Sequence, residues 1–487
     1  MNQIMLRNVY HVLPELVWCL FGVVLMLLQP FLKNRQALTF LAMVGAAAGT
    51  LVTFYTAMGS GFSGLVQSDT FSLFFRWLVG LIAFLVILAS DSYLQRENLA
   101  PAEFYALILF ATAGMGVLAS AQELLTAFIG LEMSSIASYI LAGYRRDSIK
   151  SSESAVKYFL LGSFATAFFL YGIALVYGVS GSTNLVSLAN ANPDNNLLRL
   201  GLSLILVGLG FKVAMAPFQI WTPDVYEGAP TPVTALFSAG PKAATFALLL
   251  RIFSTIHAAT DFWFWAFWVL AILTMFVGNL GAIVQNNVKR MLAYSSIAHA
   301  GYTLVAFAAI SLVRLDPKEV APAYAAVLFY LASYALVSVG AFTVVSEIGG
   351  QGERYLTYDD YAGLGTRQPY AAAALCLFLL SLLGLPITAG FFGKLYIFRA
   401  AVRSDLLWLA VLMAVNSVIG AYYYFRLIVM MYMREYKGTV PPDAAKGLSP
   451  TAAMVVAVTV VITLYLGLLP NLVLSIARSP HLLASSR

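Results

Sequence analysis

The chain has 487 residues, of which 61% are hydrophobic and only 10% charged, with a mean hydropathy of +0.84. A soluble domain of this composition would expose large apolar patches and aggregate, and intrinsic disorder is excluded by the same apolar content. The 28 basic and 22 acidic residues leave +6, but the basic residues are scattered over short loops without a nucleic-acid motif, which reads as loop charge on an all-α polytopic membrane protein.

A spanning helix needs about 20 apolar residues. The chain offers about fourteen such segments, centred near Val23, Gly45, Leu81, Phe110, Leu131, Phe168, Leu206, Thr245, Leu273, Val305, Ala332, Leu379, Asn416 and Thr459. The first, from about Pro14 to Leu32, is long for a signal peptide and lacks a small-residue cleavage site, so it is expected to stay as a span. The run Gly59-Ser-Gly61-Phe-Ser-Gly64 has the spacing of a dinucleotide loop, but no strand is expected before it, and that reading is rejected. Cys19 and Cys376 lie far apart, and His11, His257, His299 and His481 are dispersed, so no metal, haem or iron–sulfur site is expected on this chain.

Five basic residues fall inside predicted spans: Arg76, Lys212, Lys242, Lys394 and Arg426. A lysine at mid-membrane costs about 2.5–3.5 kcal/mol on insertion scales, so it persists where it is paired, hydrated or useful. Glu132, in LTAFIGLEMSSIASYIL, is the one buried carboxylate expected to answer three buried lysines. It cannot neutralise all of them, and a desolvated lysine exchanges its proton more readily than one in water. The pattern therefore favours a proton relay of Glu132, Lys212, Lys242 and Lys394 over helix-to-helix glue. Glu153 and Lys157, four apart at the start of a span, face one side, either as an interfacial pair or as part of the path. His299, among Tyr294, Ser295, Ser296 and Tyr302, suits a relay or a packing role. Arg426, near a span end, is expected to snorkel. Glu347 closes a span.

Two lysines sit beside prolines. Lys212 precedes Pro217, and Lys394 follows Pro386 and Gly390. Proline inside a span frees a carbonyl and breaks the helix, and broken spans with charges at the break mark ion sites in transporters. The two breaks suggest an internal repeat. Residues 1–102 would carry three spans, 103–256 and 262–435 two inverted five-helix units each broken in the fourth helix, and 449–487 a last span and tail. Lys and Arg in alternate loops divide 14 to nine, the larger set including Lys33, Arg96, Arg145, Lys150, Lys157, Lys289, Arg290, Arg354, Arg367, Lys437 and Lys446 and the smaller including Arg7, Arg251, Arg314, Arg478 and Arg487. The richer face is expected to be cytoplasmic and both termini periplasmic.

The segments AVKYFLLGSFATAFFLYGIALVYG, GLGFKVAMAPFQIWTPDVYEGAPTPVTALFSAGPKAATFALLLRIF, NVKRMLAYSSIAHAGYTLVAF and GLPITAGFFGKLYIF together resemble the subunit N family of bacterial NADH–quinone oxidoreductase, respiratory complex I. The resemblance runs from about Glu15 to Leu474. It implies an antiporter-like, proton-translocating subunit of the membrane arm, in the bacterial inner membrane, with fourteen helices in two inverted repeats. It implies no cofactor on this chain, with NADH, FMN, iron–sulfur clusters and quinone on partner subunits. The family's relay residues fall on Glu132, Lys212, Lys242 and Lys394, its sixth-helix lysine on Lys157 and its tenth-helix histidine on His299. The competing assignments are a subunit of a multi-subunit cation/proton antiporter or membrane-bound hydrogenase, or a structural spacer.

Overall fold

The computed structural model describes residues 2–32, 34–189, 195–255, 260–312, 317–436 and 447–471. Lys33, His257, Arg314, Lys437, Lys446, Arg478, His481 and Arg487 lie outside the described residues, as does most of the expected C-terminal tail. The helices in chain order are α1 (Asn2–His11), α2 (Leu13–Leu28), α3 (Arg35–Val52), α4 (Thr70–Arg96), α5 (Pro101–Ser120), α6 (Leu124–Ala142), α7 (Ile149–Ser180) and α8 (Leu185–Leu188). They continue with α9 (Asn196–Val213), α10 (Trp221–Gly228), α11 (Thr231–Thr255), α12 (Thr260–Ile283), α13 (Val288–Leu312) and α14 (Pro317–Ile348). The last are α15 (Leu364–Arg367), α16 (Pro369–Leu383), α17 (Ala389–Arg403), α18 (Leu407–Met433) and α19 (Pro450–Leu468). Among the described residues 12 helices are long and apolar enough to cross a membrane, and α2 and α16 are shorter apolar helices. Each expected span centre falls in one of these fourteen.

Helix is the form these segments take because lipid offers no partner to a backbone N–H or C=O. Their starts carry side chains that cap free N–H groups: Asn34, Asp69, Ser148, Asn195 and Ser449. Among the described residues one two-stranded sheet interrupts the helices. Gly59–Gly61 (β1) pairs antiparallel with Val66–Ser68 (β2), so the glycine run is a hairpin. Positive φ at Gly59 (110°) and Gly64 (95°) lets the chain turn there.

The layers follow from which helices are apolar on every side. The apolar windows of α11 and α14 are 100% buried, while that of α7 is 33% buried. A helix apolar all round belongs inside, so α11 and α14 form the centre, with α4, α5 and α13 around them. The outer helices approach closely where side chains are smallest. At Gly114 (α5) and Gly130 (α6) any Cβ would meet the facing backbone, the small-residue device of membrane helix pairs.

Candidate functional site

The Lys212 break begins where α9 ends. Ala214 takes a left-handed conformation (φ 61°), and residues 214–220, with Pro217, separate α9 from α10. The Phe211 carbonyl accepts from Trp221 Nε1 at 2.8 Å and from Ala214 N at 3.1 Å, and Ala216 N donates to Thr274 Oγ1 at 2.9 Å. Lys212 thus sits in the last turn of a half-helix, where the carbonyl ends favour a cation. Its Nζ donates to the Tyr158 hydroxyl at 3.2 Å and lies 4.8 and 5.2 Å from the ring centroids of Tyr158 and Tyr139. Glu132 and Lys212 form no direct ion pair. Glu132, half-buried on α6, instead accepts from Thr166 Oγ1 of α7 at 2.9 Å. The reason is packing: the aromatic rings of Tyr139 and Tyr158 occupy the ammonium's surroundings.

The second break runs from Gly384 (φ 93°) to Thr388 and contains Pro386. Lys394, on α17, reaches back across it to the Leu383 carbonyl at the end of α16 (2.9 Å) and to Ser417 Oγ (2.9 Å). Lys394 thus meets the carbonyl end of α16, whereas Lys212 belongs to the last turn of α9 but sets its Nζ on the Tyr158 hydroxyl.

Lys242 sits deep in α11 beside Pro241 and is 3% exposed. Its Nζ donates to the Ser296 carbonyl (2.9 Å) and Oγ (2.5 Å), and Tyr334 donates to the same Oγ at 2.7 Å. Helix α13 carries the connection onward. His299 Nδ1 meets the Tyr330 hydroxyl at 2.6 Å, and its Nε2 meets Tyr424, itself bonded to Ser295. The His299 ring lies 4.9 Å from that of Tyr334 and 5.5 Å from that of Tyr302, and Lys394 Nζ lies 4.7 Å from the Tyr302 ring centroid. Ser296, His299 and Tyr302 thus line up on successive turns between Lys242 and Lys394. Hydroxyls and imidazole both give and accept protons, so this line suits proton exchange. Among the described residues none of the three lysines has a carboxylate within 4.0 Å.

Glu153 and Lys157 are not brought to this line. Lys157, 39% exposed, pairs with Glu153 (2.7 Å) and with Asp224 of α10 (2.6 Å). Asp224 also holds Arg290 (2.6 Å), which reaches Glu227 (3.1 Å), itself paired with Lys150 (3.0 Å). Burial alone would raise the Asp224 pKa, but the hydrogen bonds and charges of Lys157 and Arg290 hold it below the ordinary range. Sequence reasoning missed Asp224, Ser417, Tyr330, Tyr334 and Tyr424. The available signal was the spacing of four between Tyr330 and Tyr334 on α14 and the place of all three tyrosines in apolar windows.

Two other span arginines are structural. Arg76 is fully buried against Glu15 (2.6 Å). Arg426, near the end of α18, reaches the loop after α12, donating to the Gln285 carbonyl (3.2 Å) and Asn286 Oδ1 (3.0 Å), and lies over the Tyr358 ring. Glu347 ties three helices, accepting from Ser92 of α4 (2.6 Å) and from Ser449 N before α19 (3.0 Å). Two residues counted as loop charges, Lys289 and Arg251, are buried within the bundle.

The family described as "NADH:quinone oxidoreductase/Mrp antiporter, TM" matches residues 121–420, the stretch that holds both breaks and all three lysines. The chain belongs to that family. A relative named NADH-quinone oxidoreductase subunit N 1, from Solibacter usitatus, is 48% identical over 97% of this chain and 96% of its own length. A chain of respiratory complex I from Thermus thermophilus, solved with bound aureothin, is 37% identical, with a TM-score of 0.79 over 96% of this chain and 99% of that one. A chain of the archaeal membrane-bound sulfane sulfur reductase shares the fold (TM-score 0.84) at 24% identity over 99% of each chain. Fold alone therefore does not separate these machines. Near-full-length identity to subunit N does, and it makes this family member a multi-pass membrane subunit of bacterial complex I, with the other membrane-arm subunits as its partners.

Proposed function

We propose that this subunit translocates protons through Lys212, Lys242 and Lys394, coupled to quinone reduction on partner subunits, and takes no part in electron transfer itself. NADH, FMN, iron–sulfur clusters and quinone belong to those partners on this reading. The observation that carries it is the set of buried lysines without counter-ions, two of them joined along α13 by Ser296, His299 and Tyr302. A hydroxyl or carbonyl holds a lysine whether it is an ammonium or an amine, so the proton leaves without the side chain losing its place. Glu132 acts through space on Lys212. Lys157, Glu153 and Asp224 form a charged mouth at the basic face.

On the same reading residues 103–256 and 262–435 are inverted units, each with its break in the fourth of five helices, and an odd helix count reverses the second. The basic face is cytoplasmic. Supporting this, Arg96, Arg145, Lys150, Lys289 and Arg290 gather at one end of the bundle through shared acidic partners.

The test is purification through a tag on this chain, with the NADH–quinone activity and proton movement of the co-purifying complex. Lys394→Ala is expected to assemble and to lower pumping. Wild-type pumping in that variant would remove Lys394 from the path. Hydrogenase or antiporter partners without NADH activity would move the relay to a different machine.

A further inference from the structure

Lys289 opens α13 with a side chain that is 0% exposed. Its Nζ donates to the Ala229 carbonyl (2.7 Å) and to Glu353 (2.8 Å). The other Glu353 oxygen accepts from N and Oγ1 of Thr231 (2.7 and 2.6 Å), at the start of α11, and Arg145 lies 3.7 Å away. Glu353 adopts φ 53°, just after Gly350 (64°) and Gly352 (75°). A non-glycine residue held there is strained, and such strain persists where the surroundings impose it, often at functional sites. Here it buries a carboxylate between the starts of α11 and α13, the helices that carry Lys242 and Ser296.

Lys289 and Ser296 lie seven residues apart, two turns or about 10 Å along one face of α13. Tyr226 of α10 is 0% exposed, and its hydroxyl approaches Ser296 without a hydrogen-bond partner of normal geometry. The buried hydroxyl of Tyr361 is likewise unpartnered. Buried hydroxyls that protein leaves unpaired are the groups ordered water bridges. A clamp between helices needs the ion pair and the cap; it has no use for unpaired hydroxyls.

We infer that the buried Lys289–Glu353 pair is a proton-input site at the basic face, feeding Lys242 through the hydroxyl of Tyr226. The inference rests on the relay reading above. In the step, an N–H bond of the Lys289 ammonium breaks and bridging water carries the proton to Tyr226; Tyr226 passes its own proton to Ser296 Oγ, and Ser296 gives its proton to an uncharged Lys242, where an N–H bond forms. Lys289 is then reloaded by a proton from water at the basic face; no electrons move. Glu353 stays ionised: burial opposes this, but the charge and hydrogen bond of Lys289, with Thr231 and Arg145, hold its carboxyl below the ordinary range.

The experiment measures protons moved per NADH oxidised by the intact complex in liposomes, with Tyr226→Phe and Lys289→Arg. The arginine keeps charge and donors but does not release its proton, and the phenylalanine removes an oxygen that holds nothing in place. Both are expected to lose part of the proton ratio. A wild-type ratio in both overturns the input site; if Lys289→Arg does not assemble, Tyr226→Phe alone decides. Lys242→Ala separates the two readings. If it also keeps the full ratio, the relay itself falls; if it loses pumping while the other two do not, only the input site falls.

Discussion

Arg76 and Lys242 show how differently two buried cations are treated by one fold. Arg76 is held by Glu15, Ser68 and the His11 carbonyl. Removing one partner of such a pair leaves a naked buried charge, at a cost of about 3–5 kcal/mol. Glu15→Ala is expected to lower the thermal midpoint and yield of the assembled complex, and the double change Glu15→Leu with Arg76→Met to restore both. Lys242 has no counter-ion, so Lys242→Met strands no charge; the assembled complex should keep or gain stability while pumping falls. A loss of stability matching that of Glu15→Ala would make Lys242 glue. Asp224 gives a pH signature. Its folded pKa is lowered, so its contribution is present above the unfolded carboxyl pKa of about 4 and is lost as the pH falls through the lower folded value. Asp224→Asn should remove that part of the acid sensitivity, read as the midpoint against pH. In the sequence the lysines stood out because a charge in an apolar window is costly by itself. Asp224 did not, because its partners Lys157 and Arg290 are 67 and 66 residues away.

At the scale of elements, the broken helices are built differently from what a proline alone implies. The Lys212 break is closed by Trp221, which stacks on Tyr158 at 4.4 Å while its indole nitrogen takes up the Phe211 carbonyl. Trp221→Phe keeps the stack but removes the indole bond and leaves that carbonyl with the Ala214 N–H alone (3.1 Å), a cost of about 0.5–1.5 kcal/mol. It should lower the thermal midpoint and loosen the turn that places Lys212; an unchanged midpoint would mean the break closes without this bond. The prolines made the breaks legible. The aromatic closure was not, because nothing local marks a tryptophan as the partner of a carbonyl ten residues earlier.

Across the whole molecule, the basic face is a belt of ion pairs. Glu353, Arg145, Glu97, Arg96 and Glu347 connect α4, the α6–α7 turn and the starts of α11, α13 and α19. Most of these side chains are largely buried, so salt screens them little. The outer ends of the bundle hold a second set, Asp69 with Arg251 and Gln122. Between the two lies the line of Lys212, Lys242 and Lys394, where hydroxyls and carbonyls replace carboxylates as partners of lysine. Charge is thus paired at the faces and left unpaired in the middle, the distribution a proton path needs.

The sequence alone determined the membrane class, the fourteen apolar helices, the positions of the lysines and the places where helices break. Each of these follows from a local cost: the transfer of a short segment or a single charge into lipid, or the donor a proline lacks. Tertiary structure decided which groups meet: that Glu132 bonds Thr166 and not Lys212, that Lys394 reaches the end of α16, and that Lys289 and Arg251, counted among loop charges, lie inside. Those contacts depend on how helices far apart in sequence pack, through small residues and shape, and no local cost encodes them.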